Sequence, residues 1–212
     1  MSKIKLTHSG GNCVSLNPPT SAPSSADVEL KLPATVGSAN QVLKNSSTAG
    51  TLEFGAKQLF SSYAILKDLK TTGGGDLATG DWRDRPLSTE YADPDGIVSI
   101  TNTSTGTFEL ASAGTYLIKW QCPAYDVGQH ISKLRCTSDS ADVAFSNSAT
   151  AWTDETENSW TFGLARVTIT GSKSYRIMHY AESTQNGNGM GTYYAPSSET
   201  AEFLRVEIYK EA

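Results

Sequence analysis

Two tight carboxylate groups stand out in the 212-residue chain, Asp93-Pro94-Asp95-Gly96 and Asp154-Glu155-Thr156-Glu157. Carboxylates held a few ångströms apart on a rigid scaffold cleave glycosidic bonds, one as acid and the other as base or nucleophile. Both groups sit beside turn-forming residues, however, and solvated loops account for them. Asp93 and Asp95 would suit a hard cation such as calcium, but the later bidentate Glu of the full loop pattern is missing. His8, His130 and His179 have neither a His partner at i+4 nor a Cys at zinc spacing, so they read as structural histidines. Gly-x-Ser-x-Gly and Gly-x-x-x-x-Gly-Lys motifs are absent. Gly73-Gly74-Gly75 precedes no helix that would make it a phosphate cradle, and it reads as a flexible loop. No catalytic residue, cofactor or metal is expected.

What remains is aromatic. Trp152, between turn-prone neighbours, and Tyr193-Tyr194, after Gly187-Asn188-Gly189-Met190-Gly191, place large apolar faces where loop chemistry predicts solvent. Such rings stack on sugars or anchor protein contacts, although packing in a core or between subunits is their more common role. These three are the receptor-contact candidates. Trp82 and Arg83 are read as structural.

The elements that must position these residues are strands. The chain carries 18 Gly, 8 Pro and 50 Ser and Thr, with 38% apolar and 18% charged residues. That composition suits strands and turns rather than a helical bundle, a coiled coil or full disorder. Thr115 to Cys122 alternates with Tyr116, Ile118, Trp120 and Cys122 on one face, and Ile131 to Thr137 answers it. Further strands are expected at Leu59 to Lys70, Ile97 to Ile100, Thr107 to Leu110, Ser159 to Thr170, Ser174 to Glu182 and Glu202 to Lys210. In Ser159 to Thr170 the apolar set changes parity from Trp160, Phe162 and Leu164 to Val167 and Ile169, which predicts a bulge. Eight to ten strands without a long amphipathic helix predict an all-β sandwich, with the jelly roll as leading topology.

The final strand sets Leu204, Val206 and Ile208 on one face and Phe203, Arg205, Glu207 and Tyr209 on the other. Two semi-apolar faces suggest the core on one side and a neighbouring subunit on the other, although a mixed Arg, Glu and Tyr face could equally be solvated. Phe203, Arg205 and Tyr209 are the interface candidates.

Charge divides the chain near residue 58. Residues 1 to 58 hold five basic and three acidic side chains (+2), and residues 59 to 212 hold twelve and nineteen (-7), for a net charge of -5. The first part spaces short pieces such as Val28-Glu29-Leu30-Lys31-Leu32 and Thr51-Leu52-Glu53-Phe54 between Pro- and Gly-rich stretches. Pieces this short bury too little apolar area alone, so order is expected from other chains. A pI of about 5.2 argues against a nucleic-acid partner. No apolar run approaches the ~18 residues of a membrane span, and the start has no stretch of signal-peptide length, so no membrane insertion and synthesis in a cytoplasm are expected. Cys13, Cys122 and Cys136 are expected as free buried thiols.

Several strings in residues 60 to 210 resemble the jelly-roll tip domain of phage tail-fibre proteins, a fold similar to that of C1q and TNF. They are Ile65-Leu66-Lys67-Asp68-Leu69-Lys70-Thr71-Thr72-Gly73-Gly74-Gly75, Trp82-Arg83-Asp84-Arg85-Pro86-Leu87, Ala113-Gly114-Thr115-Tyr116-Leu117-Ile118, Cys122-Pro123-Ala124-Tyr125, His130-Ile131-Ser132-Lys133-Leu134 and the closing Phe203 to Lys210. Ile4 to Gly11 and Gly37 to Lys44 are similar, less specifically, to repeats in fibre proteins of aquatic phages. The loop after Arg135 departs from the family, with Cys136-Thr137-Ser138-Asp139 where an Asn-rich turn is usual. The resemblance implies a homotrimeric virion fibre made in the host cytoplasm. Residues 1–58 would attach to other virion proteins, and the tip, residues 59–212, would meet a host surface glycan or protein. A capsid head fibre, decoration protein or baseplate adaptor is the alternative, and an envelope polysaccharide hydrolase is a further one.

Overall fold

The computed structural model describes residues 4–7, 13–16, 30–48, 50–152, 157–194 and 198–212. The chain forms two compact units, Met1–Lys57 and Gln58–Ala212. In the first, β1 (Ile4–Thr7) pairs with β2 (Cys13–Leu16), and β3 (Gln41–Asn45) pairs with β4 (Leu52–Ala56), both antiparallel. Of the expected Val28 to Leu32 piece, Val28 and Glu29 lie outside the described residues, and Lys31 forms an isolated bridge with Thr51. Two-stranded ribbons cover little surface, and Leu30, Leu32, Val36, Val42 and Leu43 are exposed.

The second unit is all-β. Its strands are β5 (Phe60–Lys70), β6 (Arg83–Asp84), β7 (Thr89–Ala92), β8 (Val98–Asn102), β9 (Thr107–Leu110), β10 (Gly114–Ala124), β11 (Gly128–Cys136), β12 (Ala141–Ala151), β13 (Ser159–Ile169), β14 (Lys173–Ala181) and β15 (Ala201–Glu211). One sheet runs β13-β10-β15-β5-β7 and the other β12-β11-β14-β9-β8, with β6 on β14. The antiparallel pairs are nested: β5 with β15, β9 with β14, β10 with β13 and β11 with β12. A long four-layer hairpin rolled so that its pairs fall alternately in two sheets is a jelly roll, the expected fold.

The alternation read in β10 is the core. Tyr116, Ile118, Trp120 and Cys122 are buried beside Leu66, Leu204, Val206 and Ile208 of β5 and β15 in their own sheet, in one core with Leu134 and Cys136 of β11 in the opposite sheet. Each such aliphatic or aromatic side chain contributes about 1.5 to 3 kcal/mol by leaving water. Cys122 and Cys136 are free and buried, as expected, while the side chain of Cys13 lies outside the described structure.

Three readings are corrected. β13 has no bulge against β10, which it pairs in unbroken register from Gly114↔Ile169 to Ala124↔Ser159. Its inward residues are Thr161, Gly163, Ala165, Val167 and Ile169, and Phe162 and Leu164 face out, 56% and 58% exposed. The bulge is instead in β15, between Glu202 and Leu204. It turns Phe203 inward beside Leu204, so Phe203 is buried within the domain rather than on the outer face with Arg205 and Tyr209. Gly73-Gly74-Gly75 is not a loose loop. Gly74 N–H donates to Gly191 O (2.9 Å), Gly75 N–H to Gly187 O (3.0 Å) and Met190 N–H to Gly75 O (3.0 Å). A Cβ on Gly74 would lie 2.5 Å from the Met190 backbone and 2.8 Å from the Phe203 ring, so the close approach requires glycine.

Candidate functional site

The carboxylate groups read as turn residues do so where they are described. Both oxygens of Asp93 accept backbone N–H groups, from Ile97 (2.9 Å) and Val98 (3.0 Å), and Asp95 accepts the Ser62 hydroxyl (2.5 Å). A carboxylate whose two oxygens each accept a backbone N–H of the following loop closes that loop and serves structure. Asp154 and Glu155 lie outside the described residues. Among the described residues no three His, Cys, Asp or Glu side chains group as metal ligands.

The first surface of interest is the outer face of the sheet β13-β10-β15-β5-β7. Cross-strand register sets Phe162, Gln121, Arg205 and Lys67 in one row, Leu164, Lys119, Glu207 and Ile65 in the next, and Arg166, Leu117, Tyr209 and Tyr63 in a third. Exposed aromatic and aliphatic groups therefore alternate with charges that neutralise one another. Glu207 accepts from Lys119 (3.0 Å) and from the Tyr209 hydroxyl (3.0 Å). Glu202 pairs with Lys67 (3.1 Å) and accepts from Arg205 (3.1 Å), and Arg166 holds Glu211 through two 2.7 Å bonds. Partial burial would push the Glu207 carboxyl up, but the bonds from Lys119 and Tyr209 hold it below the usual range. Burial, followed by the bond to the same carboxylate, raises the Tyr209 hydroxyl. Tyr63 and Tyr91 are exposed, Lys67 sits 3.8 Å over the Tyr91 ring, and Phe60 packs on Tyr209 at 5.1 Å. Of the interface candidates, Arg205 and Tyr209 stand at the centre of this face.

The second surface is the end of the sandwich where loops converge. Asn158 ties two of them, accepting from Thr192 N–H (2.8 Å) and donating to Thr192 O (3.4 Å). This joins the segment after β12, which carries Trp152, to the β14–β15 loop, which carries Tyr193 and Tyr194. A small core of Leu77, Ala124, Val127, Ala151, Ala181 and Met190 packs beneath them. Trp152 is 64% exposed and Tyr194 93%, whereas Tyr193 is half-buried and its hydroxyl donates to Glu199 O at 2.7 Å. The three aromatics chosen from sequence are thus brought to one end, two facing water and one also bracing its own loop.

That end is held from within by a residue sequence reasoning missed. Arg85 is fully buried and donates to Pro123 O (3.2 Å), Met190 O (3.1 Å) and Phe203 O, and through Nη1 to His179 Nδ1 (3.4 Å). It ties β10, the β14–β15 loop and β15 together. Burial lowers its pKa from the ordinary guanidinium value. The expected structural histidines are its neighbours: His130 and His179 are both buried, and burial followed by the Arg85 charge pushes His130 down to about 4 and His179 well below its usual value. His8 lies outside the described residues.

No family model matches the chain and no curated protein matches it. Among solved structures it is similar to the globular domain of zebrafish complement 1qA protein (13% identity, 70% of this chain and 95% of that one, TM-score 0.42). It is also similar to Eiger TNF from S. frugiperda (13%, 73% and 94%, TM-score 0.45). A third likeness is to the PRD1 vertex protein P5 (13%, 72% and 99%, TM-score 0.45).

Proposed function

We propose that the chain is a homotrimeric virion fibre protein with no enzymatic activity, its residues 1–58 attaching to other virion proteins and its jelly roll meeting the host surface. The observation that carries the reading is the outer face of the β13-β10-β15-β5-β7 sheet. Phe162, Leu164, Tyr63 and Tyr91 are exposed there around charges already paired within the same face. Exposed apolar side chains around charges that already neutralise one another suit burial against neighbouring copies of the chain, where unpaired charge would oppose it. The exposed Leu30, Leu32, Val36 and Leu43 of the first unit favour a partner for that segment as well. Three copies on one rigid tip would raise weak host contacts by ~10² to 10⁴ in avidity without any new contact.

The experiment is the mass of the purified chain in solution at micromolar concentration. A particle of about three times 22.6 kDa is expected, and a monomer overturns the reading.

A further inference from the structure

The outer face of the second sheet carries an arrangement that is used neither by the core nor by the subunit face proposed above. β12 pairs with β11 in register Ile131↔Ser148 but Lys133↔Phe145, an irregularity of one residue. The bulge turns Phe145 outward, 54% exposed, while Ala144 packs on the core. Phe145 meets Trp82 at 5.9 Å, Trp82 meets Tyr180 at 5.7 Å, and the Lys133 ammonium sits 4.0 Å over the Trp82 ring. The ion pair of Lys133 with Asp142 (2.9 Å) locks that cation in place, so the aromatic strip is pre-organised.

Beside the strip, toward the end that carries Trp152, lies an open cleft of about 330 Å³ lined by Gln129, Ser148, Tyr180 and Glu182 among others, near the lower limit of ligand pockets at ~300 Å³. One Glu182 oxygen accepts the Gln129 N–H (2.9 Å). The other oxygen, the Gln129 amide, the Ser148 hydroxyl and the Tyr180 hydroxyl hydrogen-bond to no described residue. The charges farther along the face are consumed internally, Asp142 by Lys133 and Arg135 and Asp84 by Arg176. The exposed Phe145 ring beside the half-buried Trp82 and Tyr180, one uncommitted carboxylate oxygen, uncommitted neutral donors and acceptors, and no Lys or Arg in the cleft lining fit a ligand with apolar C–H faces, hydroxyl edges and no negative charge.

We infer that this face binds an uncharged pyranose oligosaccharide, with sugar rings on Phe145 and its Trp82 and Tyr180 neighbours and hydroxyls on Glu182, Gln129 and Ser148. The inference takes the jelly roll as the host-facing part and gives its ligand a chemistry and a place.

The test is saturation-transfer NMR on the full chain with methyl glycosides of glucose, galactose, mannose and N-acetylglucosamine and with sialyllactose as the charged comparison. The solution mass is read on the same sample. At least one neutral glycoside should bind saturably, weakening about 2- to 10-fold in Phe145→Ala and by a similar factor in Glu182→Gln, with unchanged melting and mass. Failure of every neutral glycoside, binding of sialyllactose alone, or native affinity in both variants overturns the inference. So does binding abolished by Tyr194→Ala and untouched by Phe145→Ala. With a trimeric mass, any of these leaves the fibre reading standing. A monomer that binds sugar removes only that reading.

Discussion

His179 Nε2 and His130 Nδ1 lie 2.9 Å apart inside the sandwich, and the direction of their bond is fixed by a third residue. Arg85 Nη1, which has only protons to give, faces His179 Nδ1 at 3.4 Å, so that nitrogen must carry the lone pair. His179 therefore bears its proton on Nε2 and donates to His130 Nδ1. His130 in turn carries its proton on Nε2, a buried donor that meets no acceptor among the described residues. Both rings are neutral in the fold, and a second proton on either would break the chain of donors and face the Arg85 charge.

Acid should therefore destabilise the domain through these two rings. The folded pKa of His130, about 4, lies below the unfolded value of 6.5, so the unfolded chain binds more protons between them. The stability is fully present above pH 6.5 and is lost as pH falls toward 4. At pH 5 the His130 contribution lost is about 2 kcal/mol, and the low value of His179 acts in the same direction. Urea unfolding at pH 7.5 and pH 5 checks this. Equal midpoints would mean that the rings are not buried neutral.

Arg85→Met should be among the most damaging single changes. The thioether fills part of the volume but leaves the carbonyls of Pro123, Met190 and Phe203 without their donor. A loss of roughly 3 to 5 kcal/mol is expected, since each buried carbonyl left without a donor costs about 1 to 3 kcal/mol. The β14–β15 loop should be the first segment to become protease-sensitive, which limited digestion with mass readout would locate.

How far the sequence led depended on which residue type filled the inner face. β9 was legible to the residue, and β10 and β11 nearly so, because large apolar side chains alternate there with polar ones. β12 went unread. Ala141 to Ala151 is small and polar, lies at the edge of its sheet and is bulged, so it carries no apolar stripe. β13 misled in the opposite way. Its largest apolar residues face out, and its inner face holds Thr161, made tolerable by bonds to Ser132 and Cys122, and Gly163, which makes room for Trp120. The loop aromatics were visible because loop composition makes them anomalous. Arg85 was not, because arginine is rarely buried and its partners are backbone carbonyls with no sequence signature.

Gly163→Ala tests that account of β13. A Cβ there would fall 1.9 Å from the Trp120 indole, which donates to the Ser132 hydroxyl at 2.9 Å. The ring must shift and loosen the Trp120, Ser132 and Thr161 chain that joins the two sheets. The expected cost is about 1 to 3 kcal/mol, the range for overpacking, with a change in tryptophan fluorescence of the folded state. Ala at the exposed Gly171, with nothing near its Cβ, is the matched comparison and should leave that spectrum unchanged.

The last prediction separates folding from assembly. Phe162 and Leu164 project from an edge strand of their sheet and are more than half exposed, so the chain in isolation loses little core by changing them. If the face is covered by a second copy, a buried and unpaired carboxylate there costs several kcal/mol per interface, because the neighbouring charges are already matched. Phe162→Glu with Leu164→Glu should reduce the solution mass to that of one 22.6 kDa chain. The far-ultraviolet circular dichroism of a folded sandwich should remain, with melting that no longer depends on protein concentration. A double variant that keeps the native mass would place the subunit contacts elsewhere and leave these two side chains facing water.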